Sequence, residues 1–202
     1  MRVALAALLV LLALLLGACS VTPTRELPDI AADELWSDRQ QRLLALDTWG
    51  FRGRAAVSGS DVSSRTMRIH WAQGDETFDL AFMTLLGQRV AELNGEPGEV
   101  VLRMPGEEPV VAADSHELLT RVLGWSAPVE SLRYWVLGLP HPLVNDEAGE
   151  IDAWGRMTQL QQGDWRVEFD RYIEIGVLDL PRRLTVVHPE LRIRLIIDHW
   201  DI

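Results

Sequence analysis

Apolar and polar residues alternate with a period of two along most of the chain beyond its N-terminal part. In residues 49–57, Phe51 and Ala55 alternate with Arg52 and Arg54. This alternation is typical of β-strands that bury one face and expose the other. Further segments with the same pattern, separated by turn residues, are 66–72, 77–83, 89–93, 99–104, 110–113, 156–161, 165–170, 184–188 and 191–200.

Two helical segments interrupt this series of strands. Asp114 and Glu117 have the spacing of a capping box, which predicts a helix that runs to Leu123. Pro128 predicts the start of a second helix over residues 129–137, because proline is favoured in the first helical turn. One curved antiparallel sheet with helices inserted in its middle is an α+β fold. We expect the helices to cover the concave face as a lid over an apolar cavity.

The N-terminus has the features of a lipoprotein signal. Arg2 precedes a run of Ala, Leu and Val over residues 3–16, which is shorter than the roughly 20 residues of a membrane span but typical of a secretory signal. The run ends in Leu-Gly-Ala-Cys, which resembles the lipobox whose cysteine is lipidated. Cys19 is the only cysteine, so it cannot form an internal disulfide. We predict a signal peptide over residues 1–18 and lipidation of Cys19; a plain signal peptide that ends near a cysteine is the alternative.

The residue after the cysteine predicts the destination of the protein. As lipoprotein sorting is generally understood, an Asp in this position favours retention in the inner membrane, so Ser20 favours the outer membrane. Residues 19–32 are predicted to form the lipidated N-terminus and a tether, and residues 33–202 a single domain. The domain is predicted to begin with an amphipathic helix over residues 33–46, with Asp33 as its N-cap.

The charge balance narrows the set of partners. The chain carries 19 basic and 30 acidic residues, for a net charge of −11, and every basic residue is arginine. Such a composition is a poor match for nucleic acid and for anionic lipid headgroups. We therefore expect no nucleic-acid partner, and we expect apolar contacts to carry any membrane interaction beyond the lipid anchor.

The sequence has few features of an enzyme. It contains no nucleophile elbow, Gly-rich phosphate loop or His-Glu-x-x-His motif. Asp198, His199 and Asp201 end a terminal strand whose neighbouring side chains point to opposite faces, so we predict no metal site there. The eight tryptophans could line the sugar cleft of a cell-wall hydrolase, but they are spread along the chain and favour an aromatic interior. We predict no catalytic residue and no cofactor.

One predicted hairpin turn is unusually apolar. Residues 84–88 read Thr-Leu-Leu-Gly-Gln, although hairpin turns are normally built from Gly, Asn, Asp, Pro and Ser. Burial of a leucine side chain stabilises a protein by about 1.5–3 kcal/mol, and an exposed leucine forgoes this stabilisation. Leu85 and Leu86 are therefore favourable at the tip if the turn enters a bilayer. The alternative is that one or both fold back onto the edge of the sheet.

Several short motifs occur in a fixed order along the chain. They are the lipobox at Cys19, Arg52-Gly53, Trp71, Leu86-Gly87, Leu123-Gly124-Trp125 and Leu132-Arg133-Tyr134-Trp135-Val136-Leu137-Gly138-Leu139-Pro140. By these motifs the chain resembles the LolB family, outer-membrane lipoproteins that receive other lipoproteins from a periplasmic carrier and place them in the membrane. The last motif is the strongest, because it is close to the Leu-Arg-x-Trp-x-x-Gly-x-Pro helix end of that family.

The resemblance implies an incomplete, unclosed β-barrel with an inserted helical lid around a cavity for acyl chains. It also implies a protruding loop for membrane insertion, whose exposed leucine falls on Leu86. The family commonly has proline before that leucine, where this chain has Leu85, so we expect a less rigid and more apolar loop. Candidate residues of the acyl-chain cavity are Trp49, Trp71, Phe78, Leu80, Trp125 and Trp135.

The predicted function is that of a monomeric, non-enzymatic acceptor, anchored by lipid on the periplasmic face of the outer membrane. Its expected partners are a LolA-like periplasmic carrier, acylated cargo lipoproteins and outer-membrane lipid. The nearest alternative is an envelope lipoprotein of the same fold that binds a free lipid or glycolipid. More distant alternatives are a purely structural envelope lipoprotein and a lipid-anchored cell-wall hydrolase.

Overall fold

The structure of the protein is a computed structural model. The residues that it describes are 28–60, 63–123, 128–144 and 147–202. The predicted signal peptide, the lipidation site Cys19 and the cavity candidate Trp125 lie outside the described residues.

The described residues form one antiparallel sheet of eleven strands. The strands are β1 Trp49–Gly59, β2 Arg65–Gln73, β3 Phe78–Met83, β4 Arg89–Glu96, β5 Glu99–Arg103, β6 Val110–Ala112, β7 Glu147–Ile151, β8 Met157–Gln162, β9 Trp165–Ile175, β10 Leu178–His188 and β11 Leu191–Asp201. Their order across the sheet is β6-β5-β4-β3-β2-β1-β11-β10-β9-β8-β7. The first and last strands, β1 and β11, therefore pair at the centre, while β6 and β7 are the two unpaired edges of an incomplete barrel.

The described residues also contain three helices. They are α1 Ala32–Leu44, α2 Ser115–Leu123 and α3 Val129–Trp135. Because α2 and α3 follow β6 and precede β7, the chain that joins the two edges of the sheet carries the inserted helices. The predicted α+β fold, an unclosed antiparallel barrel with inserted helices and an N-terminal helix, is confirmed.

The ends of the inserted helices follow from their local sequences. The backbone N–H of Glu117 donates to Oδ1 of Asp114 at 2.8 Å, so Asp114 caps α2 as its sequence predicts. After α3, Gly138 adopts a φ of 80°. This left-handed conformation lets the N–H of Leu139 donate to the carbonyl of Tyr134 at 3.1 Å, as in a Schellman motif.

The start of α1 differs from the prediction. Ala31 occupies the N-cap position, no side chain caps the helix, and Asp33 lies within the first turn. The carbonyl of Ala31 accepts from the N–H of Leu35 at 3.1 Å, which begins the helical hydrogen bonding two residues earlier than expected. Asp33 and Glu34 instead place negative charge in the first turn, where it complements the helix dipole.

The sequence pattern missed one strand and shortened several others, β9 and β10 the most. The segment of β7 contains Gly149 and two glutamates and lacks the β-branched run of a typical strand, but it pairs with β8 along one edge of the sheet. Strands β9 and β10 continue to a tight turn at Gly176, where φ is 59°. Pro181 falls at an irregularity in their register, which concealed the strand pattern.

The concave face of the sheet is strongly aromatic. Trp49 and Phe51 on β1 point to the same side as Trp71 on β2, and the rings of Trp49 and Trp71 lie 5.6 Å apart. Trp200 on β11 packs against Phe51 with centroids 5.5 Å apart. These four side chains are almost completely buried and form one aromatic cluster across β2, β1 and β11 at the centre of the sheet.

Gly53 allows β1 and β11 to pair closely at the centre of the barrel. The register shifts between Arg52 and Gly53, and a Cβ added at Gly53 would overlap the backbone carbonyl of Ile196. A side chain at this position would therefore push the two central strands apart, which gives a physical reason for the Arg-Gly pair noted in the sequence.

Helix α1 is fixed to the sheet by a buried arginine. Arg39 is 7% exposed, its guanidinium lies 5.2 Å from the centre of the Tyr172 ring, and it donates to the carbonyl of Asp179. The guanidinium of Arg156 lies 5.0 Å from the same ring. Burial raises the pKa of Tyr172, and its hydroxyl donates to the carbonyl of Met157 at 2.6 Å.

Candidate functional site

The inserted helices α2 and α3 form a lid that is fixed to the sheet at its C-terminal end. Trp135 is the last residue of α3, is 1% exposed, and donates from Nε1 to Oε1 of Gln162 on β8 at 2.8 Å. The side chain of Gln162 also accepts from the N–H of His141 at 2.9 Å and donates to the carbonyl of His141 at 2.8 Å. One buried amide therefore holds both the end of the helix and the segment that follows.

Two further polar contacts hold the lid, beside the buried apolar side chains of its helices. Arg133 donates to the carbonyl of Asp75 in the turn between β2 and β3, and this contact is solvent-exposed. Ser115 at the start of α2 donates to Oε1 of Glu130 on α3 at 2.6 Å, which joins the two helices. The exposed Arg133 contact is screened by water and costs less to break than the buried bonds around Gln162, whereas Ser115 is fully buried.

A cavity of about 330 Å³ lies between the lid and one end of strands β2–β5. This volume is near the lower end of the roughly 300–1,000 Å³ range of small-ligand pockets. Its apolar lining includes Trp71, Phe78, Val100, Val129 and Tyr134. Glu76, Glu96, Asp114, Glu130, Arg133 and His141 supply polar groups to its lining. A larger apolar occupant would require the lid to move away from the sheet.

The structure brings together some of the predicted cavity residues and separates others. Trp71 and Phe78 both line the cavity, with ring centroids 6.4 Å apart. Trp49, Leu80 and Trp135 are at most 5% exposed and belong to the packed core. They do not line the described cavity, so a role for them in holding acyl chains remains a prediction that needs the barrel to open.

His141 connects the cavity to the loop after the lid. Its ring packs edge-on against Tyr134 with centroids 4.9 Å apart, and its Nδ1 accepts from the N–H of Leu143 at 3.2 Å. Partial burial, with a smaller contribution from Arg133, lowers the pKa of His141, although Glu130 opposes the shift. The neutral ring therefore fits this position better than the charged one.

The apolar turn protrudes from the hairpin of β3 and β4. The N–H of Gly87 donates to the carbonyl of Thr84 at 2.9 Å, which closes a β-turn with Leu85 and Leu86 at its two central positions. Gly87 adopts a φ of 90°, which lets the chain return to β4. The side chain of Leu86 is 92% exposed and that of Leu85 is 53% exposed, so neither folds back fully onto the sheet.

The turn and the cavity lie at opposite ends of the same strands. The cavity is bordered by Phe78 and Gly95, which pair at the far end of β3 and β4. The turn follows Met83, the last residue of β3. At about 3.3 Å per residue, the strand from Phe78 to Met83 separates the two features by about 17 Å before the turn begins.

The comparisons with known proteins agree with this architecture. A family model described as "Outer membrane lipoprotein LolB" matches residues 47–200. The chain is 37% identical over 194 residues to the outer-membrane lipoprotein LolB of Nitrosococcus oceani, covering 96% of each chain. The chain belongs to the LolB family. The LolB of Chromohalobacter salexigens is 34% identical over 195 residues, which are 96% of this chain and 88% of that one.

Membership of the LolB family makes the chain a lipid-anchored outer-membrane protein whose function lies in lipoprotein sorting. Its fold resembles the crystal structure of a LolA superfamily protein from Nitrosomonas europaea, with a TM-score of 0.54 and 9% identity over 86% of this chain and 94% of that one. None of the helices in the described residues is long and apolar enough to cross a membrane.

Sequence reasoning missed the buried polar residues that hold the lid and the cavity wall in place. Gln162 and Gln73 are 2% and 4% exposed, although glutamine is usually a surface residue. Gln73 accepts from Nε1 of Trp71 at 3.1 Å and so fixes an indole of the cavity wall. Gln73 lies two residues after Trp71, and Gln162 lies two residues after Leu160, so the strand alternation points both glutamines toward the core. This spacing was the only sign of their burial in the sequence.

Proposed function

We propose that the chain accepts acylated lipoproteins from a LolA-like periplasmic carrier and inserts them into the outer membrane without catalysing a covalent reaction. Cys19 carries the lipid anchor, and the cavity under the lid holds an acyl chain of the cargo. The cargo then moves from carrier to acceptor to bilayer by differences in affinity. Family membership supports a role in lipoprotein sorting. The positions of the cavity and the turn support separate roles for them in holding and inserting the cargo.

The observation that carries the proposal is the separation of a cavity with an aromatic wall from an apolar tip. Trp71 and Phe78 offer a protected wall for an acyl chain, whereas Leu86 is 92% exposed at the other end of the hairpin. A leucine in water is unfavourable, and the same side chain is favourable in hydrocarbon. The tip therefore suits a role at the bilayer, and the cavity suits a role in holding the cargo.

Transfer through the cavity requires the lid to move. A volume of about 330 Å³ is small for lipid, but the exposed Arg133–Asp75 contact can break at little cost while the buried Trp135–Gln162 contact keeps the lid attached. Acyl chains that enter would replace lid side chains against the concave face of the sheet.

Reconstitution with a loaded carrier and liposomes tests the proposal. Transfer of cargo from the carrier and insertion into the liposome are measured separately, by cross-linking to the acceptor and by flotation of the cargo. The proposal predicts both steps in the absence of nucleotide. If mass spectrometry finds a free lipid or glycolipid in the unlipidated protein and the protein accepts no cargo, the alternative of a lipid-binding lipoprotein is correct.

A further inference from the structure

Four carboxylates lie at the mouth of the cavity under the lid. Glu76 lies in the turn between β2 and β3, and Glu96 is the last residue of β4, where the chain turns into β5. Asp114 directly precedes α2, and Glu130 lies in the first turn of α3. All four residues line the cavity and are exposed to solvent. They are called the mouth carboxylates below.

The fold does not neutralise the mouth carboxylates. Within the described residues, none of the four forms an ion pair. Asp114 accepts from the N–H of Glu117 at 2.8 Å, and Glu130 accepts from the hydroxyl of Ser115 at 2.6 Å. Both donors are uncharged, so these hydrogen bonds orient the two carboxylates and leave their negative charge in place.

Arg133 supplies the one guanidinium among the described residues of the lining. It donates to the carbonyl of Asp75, and it lies 5.7 Å from the centre of the Tyr134 ring, so its donors are engaged in the closed lid. Partial burial lowers the pKa of His141, so this ring adds no charge at neutral pH. Four carboxylates and one guanidinium give the described lining a net charge of −3.

The inner part of the lining is apolar where the mouth is charged. Trp71, Val100 and Val129 are buried, and the ring of Phe78 lies 6.4 Å from that of Trp71. A ligand with an acyl chain and a polar head should place the chain against this wall, because an unpaired polar head is costly to bury. Its head then lies among the mouth carboxylates, which therefore sense the charge of the head.

The acidic mouth includes a contact that is unfavourable for the fold itself. Glu96 lies directly opposite Glu99 in the pairing of β4 with β5, and like charges in opposed positions destabilise a sheet. Both residues are exposed. Positions that break a local rule without a gain in stability are typical of functional surfaces.

We propose that the cavity selects its ligand by the charge of the head: it takes acyl chains joined to an uncharged or cationic group and excludes those joined to phosphate or carboxylate. Phospholipids of the bilayer all carry a phosphate, whereas the diacylglyceryl group of a lipoprotein carries none. The cavity can therefore work beside a bilayer without filling with its lipid. The inference rests on the proposed function, since it needs an acyl chain in the cavity.

Calorimetric titration with three amphiphiles of equal chain length tests this inference. The chain without residues 1–18, carrying Cys19→Ala, is titrated below micelle formation with monododecanoylglycerol, dodecyltrimethylammonium and dodecyl phosphate. Glu76→Gln/Glu96→Gln removes two of the mouth carboxylates. Glu107→Gln/Glu108→Gln removes two exposed carboxylates from the turn between β5 and β6, outside the described lining, and is the matched control.

Dodecyl phosphate should bind about tenfold more weakly than the monoacylglycerol, since one charge about 4 Å from another already changes affinity about fivefold in water. The ammonium ligand should bind at least as tightly as the monoacylglycerol, because aromatic faces also attract cations. In Glu76→Gln/Glu96→Gln the tenfold ratio should fall to about twofold, and in the control it should persist. High salt should reduce it as well. The thermal midpoint should not fall in either variant, because all four substitutions lie at exposed positions.

The possible results separate this inference from the proposed function. If none of the three amphiphiles binds, the acyl-chain site fails and head selection fails with it. Equal binding of all three leaves the acyl-chain site intact and overturns the inference alone. If dodecyl phosphate binds more tightly than the monoacylglycerol and Arg133→Gln abolishes this preference, Arg133 is a phosphate ligand and the inference is wrong. Equal binding combined with lost transfer from a loaded carrier in Glu76→Gln/Glu96→Gln would assign the mouth carboxylates to carrier contact instead.

Discussion

The indole Nε1 of Trp135 donates to Oε1 of Gln162 at 2.8 Å, and this bond joins the end of the lid to β8. Both side chains are almost completely buried. Because Gln162 also bonds the N–H and the carbonyl of His141, it fixes the lid and the following loop together. Buried apolar side chains of α2 and α3, Leu118 and Val129 among them, pack the rest of the lid, so Gln162 is its main polar attachment.

Gln162→Leu should lower the free energy of unfolding by at least about 2 kcal/mol, because it leaves several buried polar groups of Trp135 and His141 without partners. Urea unfolding measures this loss. Gln161→Leu, at the exposed neighbouring position on β8, is the control and should change stability by less than about 0.5 kcal/mol. Similar losses in the two variants would mean that the buried amide does not anchor the lid.

Arg133→Ala should open the cavity without unfolding the domain. The substitution removes the bond to the Asp75 carbonyl, which is exposed and contributes about 1 kcal/mol or less. A fluorescent monoacylglycerol should therefore enter faster in stopped-flow measurements. Arg42→Ala on α1, which also removes an exposed arginine contact, should leave the rate unchanged. An unchanged rate in Arg133→Ala would place the moving part of the lid elsewhere.

His141 should make the domain less stable in acid. Its pKa in the folded protein lies below the unfolded value of about 6.5, so the unfolded chain binds more protons just below that pH. The free energy of unfolding should consequently fall as the pH decreases from about 6.5. Protonation of Nδ1 would also remove the acceptor for the N–H of Leu143.

His141→Asn should flatten the pH dependence, because the amide oxygen can still accept from Leu143 but does not titrate. His70→Asn is the comparison, since burial and neighbouring arginines lower the pKa of His70 as well. Chemical denaturation at a series of pH values separates the two contributions. A profile for His141→Asn that matches that of the unmodified protein would exclude His141 as a source of the acid sensitivity.

Local patterns in the sequence were sufficient to predict the outline of this fold. Alternation placed Trp71 and Leu80 on buried faces, because a half-buried strand forces a period of two. The glycine after α3 marked its end, because only a residue tolerant of positive φ closes a helix in this way. The apolar turn was recognisable because Leu85 and Leu86 stand where polar residues are expected.

Features that depend on pairing between distant segments were not predictable. The register that aligns Arg54 with Arg68 and Arg183 with Arg171 is set by the packing of the whole barrel, and no local pattern reveals it. The division of the tryptophans into core and cavity wall depends on how far α2 and α3 cover the sheet. For the same reason, a buried Gln162 could not be distinguished from an exposed one in the sequence.

The central claim is that the cavity and the turn perform separate steps. Leu86→Glu places a carboxylate on a side chain that is 92% exposed, so stability should change by no more than about 0.5 kcal/mol. A carboxylate in hydrocarbon costs roughly 2.5–3.5 kcal/mol. Leu85→Glu should have a smaller effect on insertion, because Leu85 is only 53% exposed at the same turn.

The most direct test is a single reconstitution with Leu86→Glu, a loaded carrier and liposomes, in which uptake and insertion are both measured. The account predicts that uptake of cargo persists, because the cavity lies at the other end of β3 and β4. Insertion should fall by about 100-fold, which corresponds to about 2.7 kcal/mol of lost interaction. Intact insertion, or unfolding of the domain by this substitution, would contradict the account, because Leu86 would then not be the group that meets the membrane.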